Sequence, residues 1–267
     1  MTRIKRLTVI TLLSIAVFGL NGCISILEKI NFNKDGSGEY ELSFDMGNMM
    51  TMLKNMDLGS MMGEDSDGDT KLPAEAFEKR DTIINLYDVM ASSTDDVERA
   101  DFWKKANLSV KMDSDAGVFL TKIKFPFKDT EDITFFYENL SKLSEGGDAN
   151  LGMASGLLSG LGGDGMTSGK NEYTMKGRKF TRKAASMSLN DMEGIDDSMK
   201  DQLQMVKMFM ASATYTTVYS FGKKVKSTSN TESIISSDKK TVTTEVSLVD
   251  MLEGNGDVSN EIKLKMF

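Results

Sequence analysis

A single cysteine, at position 23, closes an apolar run and fixes where a folded body can begin. Arg3, Lys5 and Arg6 form a short basic region, and Leu7 to Leu20 is apolar apart from Thr8, Thr11, Ser14 and Gly19. That run falls short of the roughly twenty residues a membrane-spanning helix needs and suits the core of a cleaved signal peptide. It ends Leu20-Asn21-Gly22-Cys23, with a small residue directly before the cysteine. The expected division is a leader over 1–22 and one domain over 23–267. Loss of the leader removes three cations and no acid, so the formal charge moves from −8 to −11 over 245 residues. An ordinary cleaved leader with an incidental cysteine is the plainer alternative. In either case the body folds without an internal disulfide.

The chain also has no histidine. That excludes Ser-His-Asp and Cys-His catalysis, imidazole ligation of zinc or haem, and an imidazole switch near neutral pH. There is no GxSxG, no phosphate-cradling P-loop, no SxxK and no Gly-rich nucleotide turn. Asp95-Asp96, Glu131-Asp132 and Asp196-Asp197 stand before expected helices, where capping accounts for them. A non-enzyme without a cofactor is the expectation, with a carboxylate-based hydrolase as the remaining catalytic alternative. The acidic balance argues against nucleic acid, whose capture needs clustered Lys and Arg.

Alternation predicts the strands. Ile26 to Phe32 alternates in part, and Tyr40, Leu42 and Phe44 share a face; between them Asn33-Lys-Asp-Gly-Ser-Gly38 makes a hairpin turn. Leu108, Val110 and Met112 alternate before a turn over 113–117, and Phe119, Thr121, Ile123 and Phe125 alternate after it, with Pro126 expected to end that strand. Further strands are expected over 213–221, 240–248 and from Ile262 onward, where β-branched and aromatic residues concentrate. Helices are expected over 94–106, over 195–211, and after Asp129, where Ile133, Phe136, Tyr137, Leu140 and Leu143 recur at helical spacing. The fold class is α+β: mainly antiparallel sheet built from hairpins, with three or so packed helices.

A strand ending in Asp and then Met recurs around Asp45-Met46, Asp191-Met192 and Asp250-Met251, with Asp88-Val-Met90 a looser copy. Each Asp is expected to cap a short helix, either through repeated capping chemistry or through duplication of one unit. Gly- and Ser-dense stretches at about 57–71 and 145–171 are expected to be mobile loops, the second a possible sub-domain boundary.

Two constellations invite a chemical reading. Asp65, Asp67 and Asp69 alternate as calcium ligands do, but Thr70 and Ala76 stand where an EF-hand needs Gly and Glu. A solvated acidic loop is the plainer reading, leaving a weak metal candidate. Methionine is in excess, 21 in the chain, with seven between Met46 and Met62. Met49, Met50, Met52 and Met56 are candidate binding residues, because thioethers suit packing and adaptable contact surfaces. The same residues leave open a soft copper(I) site or an oxidisable sink.

Leu20-Asn21-Gly22-Cys23 resembles the lipobox of bacterial lipoproteins, which implies acylation of Cys23 and a membrane anchor needing no spanning helix. "INFNKDGSGEYELSFDM" and "FGKKVKSTSN…ISSDKKTVTTEVSLVDML" resemble a group of bacterial lipoproteins, notably of Bacteroidetes, and more distantly the LppM-type lipoprotein domain. The resemblance implies an α+β body at the cell envelope. With Ile24 after the cysteine, it also implies the outer membrane and a body facing the periplasm. It further implies that the partners are the membrane, through the N-terminal lipid, and a lipid, glycan or envelope protein.

Overall fold

The computed structural model describes residues 24–55, 79–94, 96–145, 167–168, 170–187, 207 and 210–265. Cys23, Met56, the acidic triplet Asp65, Asp67 and Asp69, the loop at 57–71, most of that at 145–171 and most of the helix expected over 195–211 lie outside them.

The expected α+β class is what forms. Strands β1 (Ser25–Phe32) and β2 (Gly38–Asp45) pair as an antiparallel hairpin from Ser25↔Asp45 to Phe32↔Gly38. β3 (Arg80–Asn85), β4 (Asn107–Asp113) and β5 (Val118–Phe127) extend the sheet beyond β2. On the other side of β1 lie β10 (Thr214–Ser220), β13 (Thr241–Ser247) and β12 (Ile234–Ile235), giving the order β12-β13-β10-β1-β2-β5-β4-β3. β1–β10 is the parallel pair in this sheet, joining its N- and C-terminal halves; the other pairs are antiparallel.

Two layers cover one face of the sheet. A second sheet, in the order β11 (Val225–Thr228), β14 (Asn260–Leu264), β8 (Lys179–Lys183) and β7 (Glu172–Lys176), lies over the β10–β1 half. Phe180 of β8 packs edge-on against Phe32 at 5.0 Å and Tyr219 at 5.1 Å. Helices α2 (Leu86–Ser93), α3 (Ala100–Trp103), α4 (Thr130–Glu138) and α5 (Leu140–Glu145) contribute to the same core beside the β2–β5 half. Phe102 meets Phe125 at 5.0 Å, and Tyr40 stacks on Phe125 at 4.8 Å. α1 (Gly47–Asn55) and α6 (Leu248–Leu252) follow β2 and β13 at the end of the sheet where β1 begins. Thr167–Ser168 (β6), at the close of the expected loop, pairs with Ser186–Met187 (β9).

Several boundaries differ from expectation. The helix expected over 94–106 is a single turn, α3; Arg99 before it takes φ 54°, which breaks helical propagation. Helix forms upstream instead, in α2, where Leu86, Val89 and Met90 are buried. Pro126 does not end β5: it pairs with Glu39, one residue inside the strand, where the register continues to Phe127. The stripe after Asp129 is all buried, yet it is divided between α4 and α5 at Asn139. Asp129 caps α4 through Glu131 N at 2.9 Å, as expected. Asp45 accepts from Gly47 N at 3.0 Å, also as expected. Asp88 and Asp250 do not cap; Asn85 and Ser247 do, because each acid stands within the first turn of its helix, past the capping position.

Candidate functional site

Glu28 explains why the alternation of β1 is only partial. It occupies the inward register shared by Ile26, Ile30 and Phe32, and it is fully buried. An acid in that position needs partners, since an unpaired buried carboxylate costs several kcal/mol. The second sheet supplies them. Arg182, on β8 one inward step beyond Phe180, donates from Nε to Glu28 Oε1 at 3.2 Å and from Nη2 to Oε2 at 2.9 Å. Three phenols complete the shell: Tyr219 donates to Oε1 at 2.7 Å, and Tyr215 and Tyr173 donate to Oε2 at 2.8 Å and 2.9 Å. Tyr137 of α4 approaches Oε2 at 3.4 Å and shares a 2.7 Å hydrogen bond with the Tyr40 hydroxyl.

Every one of these partners donates to Glu28, the pattern of an ionised carboxylate. Burial pushes the phenols of Tyr40, Tyr137, Tyr173, Tyr215 and Tyr219 well above their ordinary value, and the Glu28 charge acts in the same direction. Burial also works against the Arg182 charge. Glu28 and the surrounding phenols outweigh it and hold the guanidinium well above its usual value. Arg182 Nη1 and Thr217 Oγ1 are the buried atoms of this region without a hydrogen-bond partner among the described residues. The array is sealed: Glu28 is 0% exposed and Arg182 2%. Its chemical work is to join β1, β10, β7, β8 and α4 through one charge.

The candidate methionines divide. Met50 is buried with Met46, Met112 and Phe119 in a small cluster apart from the main core, and Met49 packs against its edge beside Ile24. Met52 lies in α1, and its side chain is outside the described set. The structure therefore brings thioethers from α1, the end of β2 and β4 into one apolar cluster. Among the described residues no group of three or more His, Cys, Asp or Glu side chains is placed to hold a metal ion. No helix among them is long and apolar enough to cross a membrane.

A separate cleft of about 290 Å³ opens between α3 and the start of α4, lined by Arg99, Phe102, Lys105, Phe127, Lys128 and Asp132, among others. Arg99 pairs there with buried Asp132, and its guanidinium lies over the Phe135 ring at 4.4 Å. Asp132 also accepts from Lys128 N at 2.7 Å, so the acid is occupied by the pair and the loop backbone.

Sequence reasoning did not find the Glu28 array, although a signal was present. A lone acid in the inward register of β1, an Arg in the same register as Phe180, and Tyr215 and Tyr219 four residues apart on one strand face are each legible. Their convergence is not, because residues 28 and 182 meet only when the two sheets stack.

No protein-family profile matches the chain, and no curated relative does. Among solved structures, the NMR structure of the folded domain of LppM from Mycobacterium tuberculosis superposes on 91% of this chain and 90% of that one. Identity over the match is 10% and the TM-score is 0.35, a distant likeness too loose to carry an argument about function.

Proposed function

We propose that the chain is a lipid-anchored, non-catalytic binding module of the bacterial cell envelope, held at the outer membrane with its body in the periplasm. The observation that carries the reading is the placement of Ile24. This residue, directly after Cys23, packs against both apolar clusters at the start of β1. An acylated Cys23 would then hold the body against the bilayer with almost no linker, and would set one end of the sandwich at the membrane. Acyl chains contribute about 0.8 kcal/mol per buried CH₂ group, and two or more make a stable anchor. Enclosure of the Glu28 array supports the non-catalytic part, since the densest cluster of ionisable groups described stands out of a substrate's reach. The test is acyl labelling with a palmitate probe and membrane fractionation of the full chain beside Cys23→Ser. The wild type is expected to label and sediment with membranes, and the variant to do neither. Equal fractionation of the two would overturn the anchoring reading.

A second reading, copper(I) handling, is favoured by one observation: Met46, Met50 and Met112 share a single apolar cluster. Thioethers are soft ligands suited to that ion. Anaerobic copper(I) titration of the full chain and of Met50→Leu with Met112→Leu separates the readings. Equal, weak uptake by both forms would sink the copper reading.

A further inference from the structure

Eight exposed cations of this acidic chain gather at one end. β1 runs about 26 Å, at roughly 3.3 Å per residue, from Ser25 beside Cys23 to Phe32. The turns beyond its far end are basic. The β1–β2 turn contributes Lys34, whose Cγ lies 3.0 Å from where a Cβ on Gly222 would stand. The end of β7 and the β7–β8 turn contribute Lys176 and Arg178, the chain entering β11 contributes Lys223 and Lys224, and β11 itself contributes Lys226. The β12–β13 turn adds Lys239 and Lys240.

Backbone hydrogen bonds make these turns one surface. Leu264 N donates to Arg178 O at 2.8 Å, Lys265 N to Lys224 O at 2.7 Å, Val225 N to Lys239 O at 2.6 Å and Phe221 N to Lys240 O at 2.9 Å. All of the named basic side chains are exposed. None forms an ion pair with another described residue, whereas Lys122 and Lys124 on the open sheet face are paired with Glu39 and Glu41. The acids of these turns, Asp35 and Asp238, accept hydrogen bonds within their own loops, Asp35 from Ser37 and Asp238 from Ser236 and Lys240 N, although Asp35 also lines the cleft described next and the Lys240 charge acts on Asp238. Lys239 adopts φ 59°, a conformation that favours glycine, yet the chain carries a cation there. Amid the turns lies a cleft of about 270 Å³ whose lining combines Phe32, Phe221, Met175 and Leu264 with Lys34 and Lys223.

We propose that this end of the body docks a linear polyanion of the envelope, a glycan or polyol chain carrying repeated phosphate or carboxylate groups. A row of unpaired lysines crossing several strand ends matches a string of anionic groups, and the part-apolar cleft accepts a sugar or polyol unit between two of them. The choice of a polymer over a bilayer rests on the anchoring reading in one respect: the basic end lies opposite Cys23, away from the membrane that would hold it.

The test uses detergent-solubilised full-length protein, so its outcome does not depend on anchoring. Binding of inorganic polyphosphate, polygalacturonate and neutral dextran is measured by fluorescence anisotropy across a salt series. At least one polyanion is expected to bind, dextran not at all, and which of the two binds more tightly identifies the anionic group. Lys224→Glu, Lys226→Glu and Lys240→Glu together are expected to weaken binding at least tenfold. They should also flatten the dependence of log K on log salt by about 0.7–0.9 for each anionic group no longer neutralised. Lys111→Glu, Lys142→Glu and Lys183→Glu make the same charge change elsewhere and should leave affinity within about twofold, since exposed charges beyond a Debye length are screened. Lys239→Gly should weaken binding without lowering the melting temperature. Equal losses from the two triple variants, no binding of either polymer at about 50 mM salt, or binding only to phosphatidylglycerol vesicles would each overturn the proposal.

Discussion

Arg182→Met tests the central claim about the interior. The substitution keeps an unbranched apolar stem, two atoms shorter, and removes both donors that reach Glu28, the 3.2 Å and 2.9 Å hydrogen bonds. It also removes the 3.2 Å bond from Nη2 to the Tyr215 hydroxyl. The carboxylate would keep its three short phenol hydrogen bonds but lose its counter-charge in a site with no solvent. Stranding one member of a buried ion pair costs about 3–5 kcal/mol. For a body of this size that lowers the melting temperature by roughly 6–20 °C. Glu28→Leu strands the guanidinium instead and should cost a similar amount. The double variant removes both charges and restores apolar contact, so it should be far more stable than the sum of the singles, with a coupling of about 2 kcal/mol or more. Urea unfolding followed by circular dichroism measures all four forms, with equal m-values confirming a common unfolded state. Strict additivity, or a cost below about 1 kcal/mol for Arg182→Met, would refute the claim that one charge pair joins the layers.

Other outcomes follow from local geometry. Asp129→Ala removes the cap that accepts from Glu131 N and should destabilise by about 1 kcal/mol in the same assay. Gly38→Ala would place a Cβ 2.1 Å from Asn31 O and 2.5 Å from the Phe127 ring, so it should open the first hairpin at a cost of about 1–3 kcal/mol; an unchanged midpoint would contradict that close approach. Five of the six tyrosines belong to the Glu28 array, and burial raises each phenol in the folded state. Above the ordinary phenol value near 10, the unfolded chain therefore binds fewer protons than the folded one, and stability falls as pH rises. Absorbance at about 295 nm should show these five ionising together with loss of near-ultraviolet dichroism; gradual ionisation without unfolding would mean the array is open to water.

Elements governed by neighbours in sequence were legible before the structure. The β1–β2 and β4–β5 hairpins follow from alternation around short Gly- and Asp-containing turns, and the α4–α5 stripe from helical spacing behind Asp129. Elements whose identity depends on distant partners were not. β7 and β8 carry no apolar run that marks them in the sequence: Tyr173, Met175, Phe180 and Arg182 face inward, and their burial comes from packing against the other sheet. The segment 94–106 has helical spacing, but Arg99 leaves the helix to reach Asp132 and Phe135. Net charge is silent on placement in a similar way. A negative total says nothing of where cations stand, and turns distant in sequence gather theirs at one end of the sandwich.

The sequence by itself determined the absence of histidine and of any cysteine pair, the antiparallel hairpins, the inward faces of β2, β4 and β5, and the cap of α4. Each of these depends on residue identity or on spacing within a few positions. Tertiary structure alone decided that the N-terminal strand runs parallel to β10, that Glu28 meets Arg182 and a ring of phenols, that Met46, Met50 and Met112 share a cluster, and that the basic turns form one surface. These are meetings between residues far apart in the chain. No local propensity encodes them, and they arise because two half-apolar sheets must cover each other to leave water.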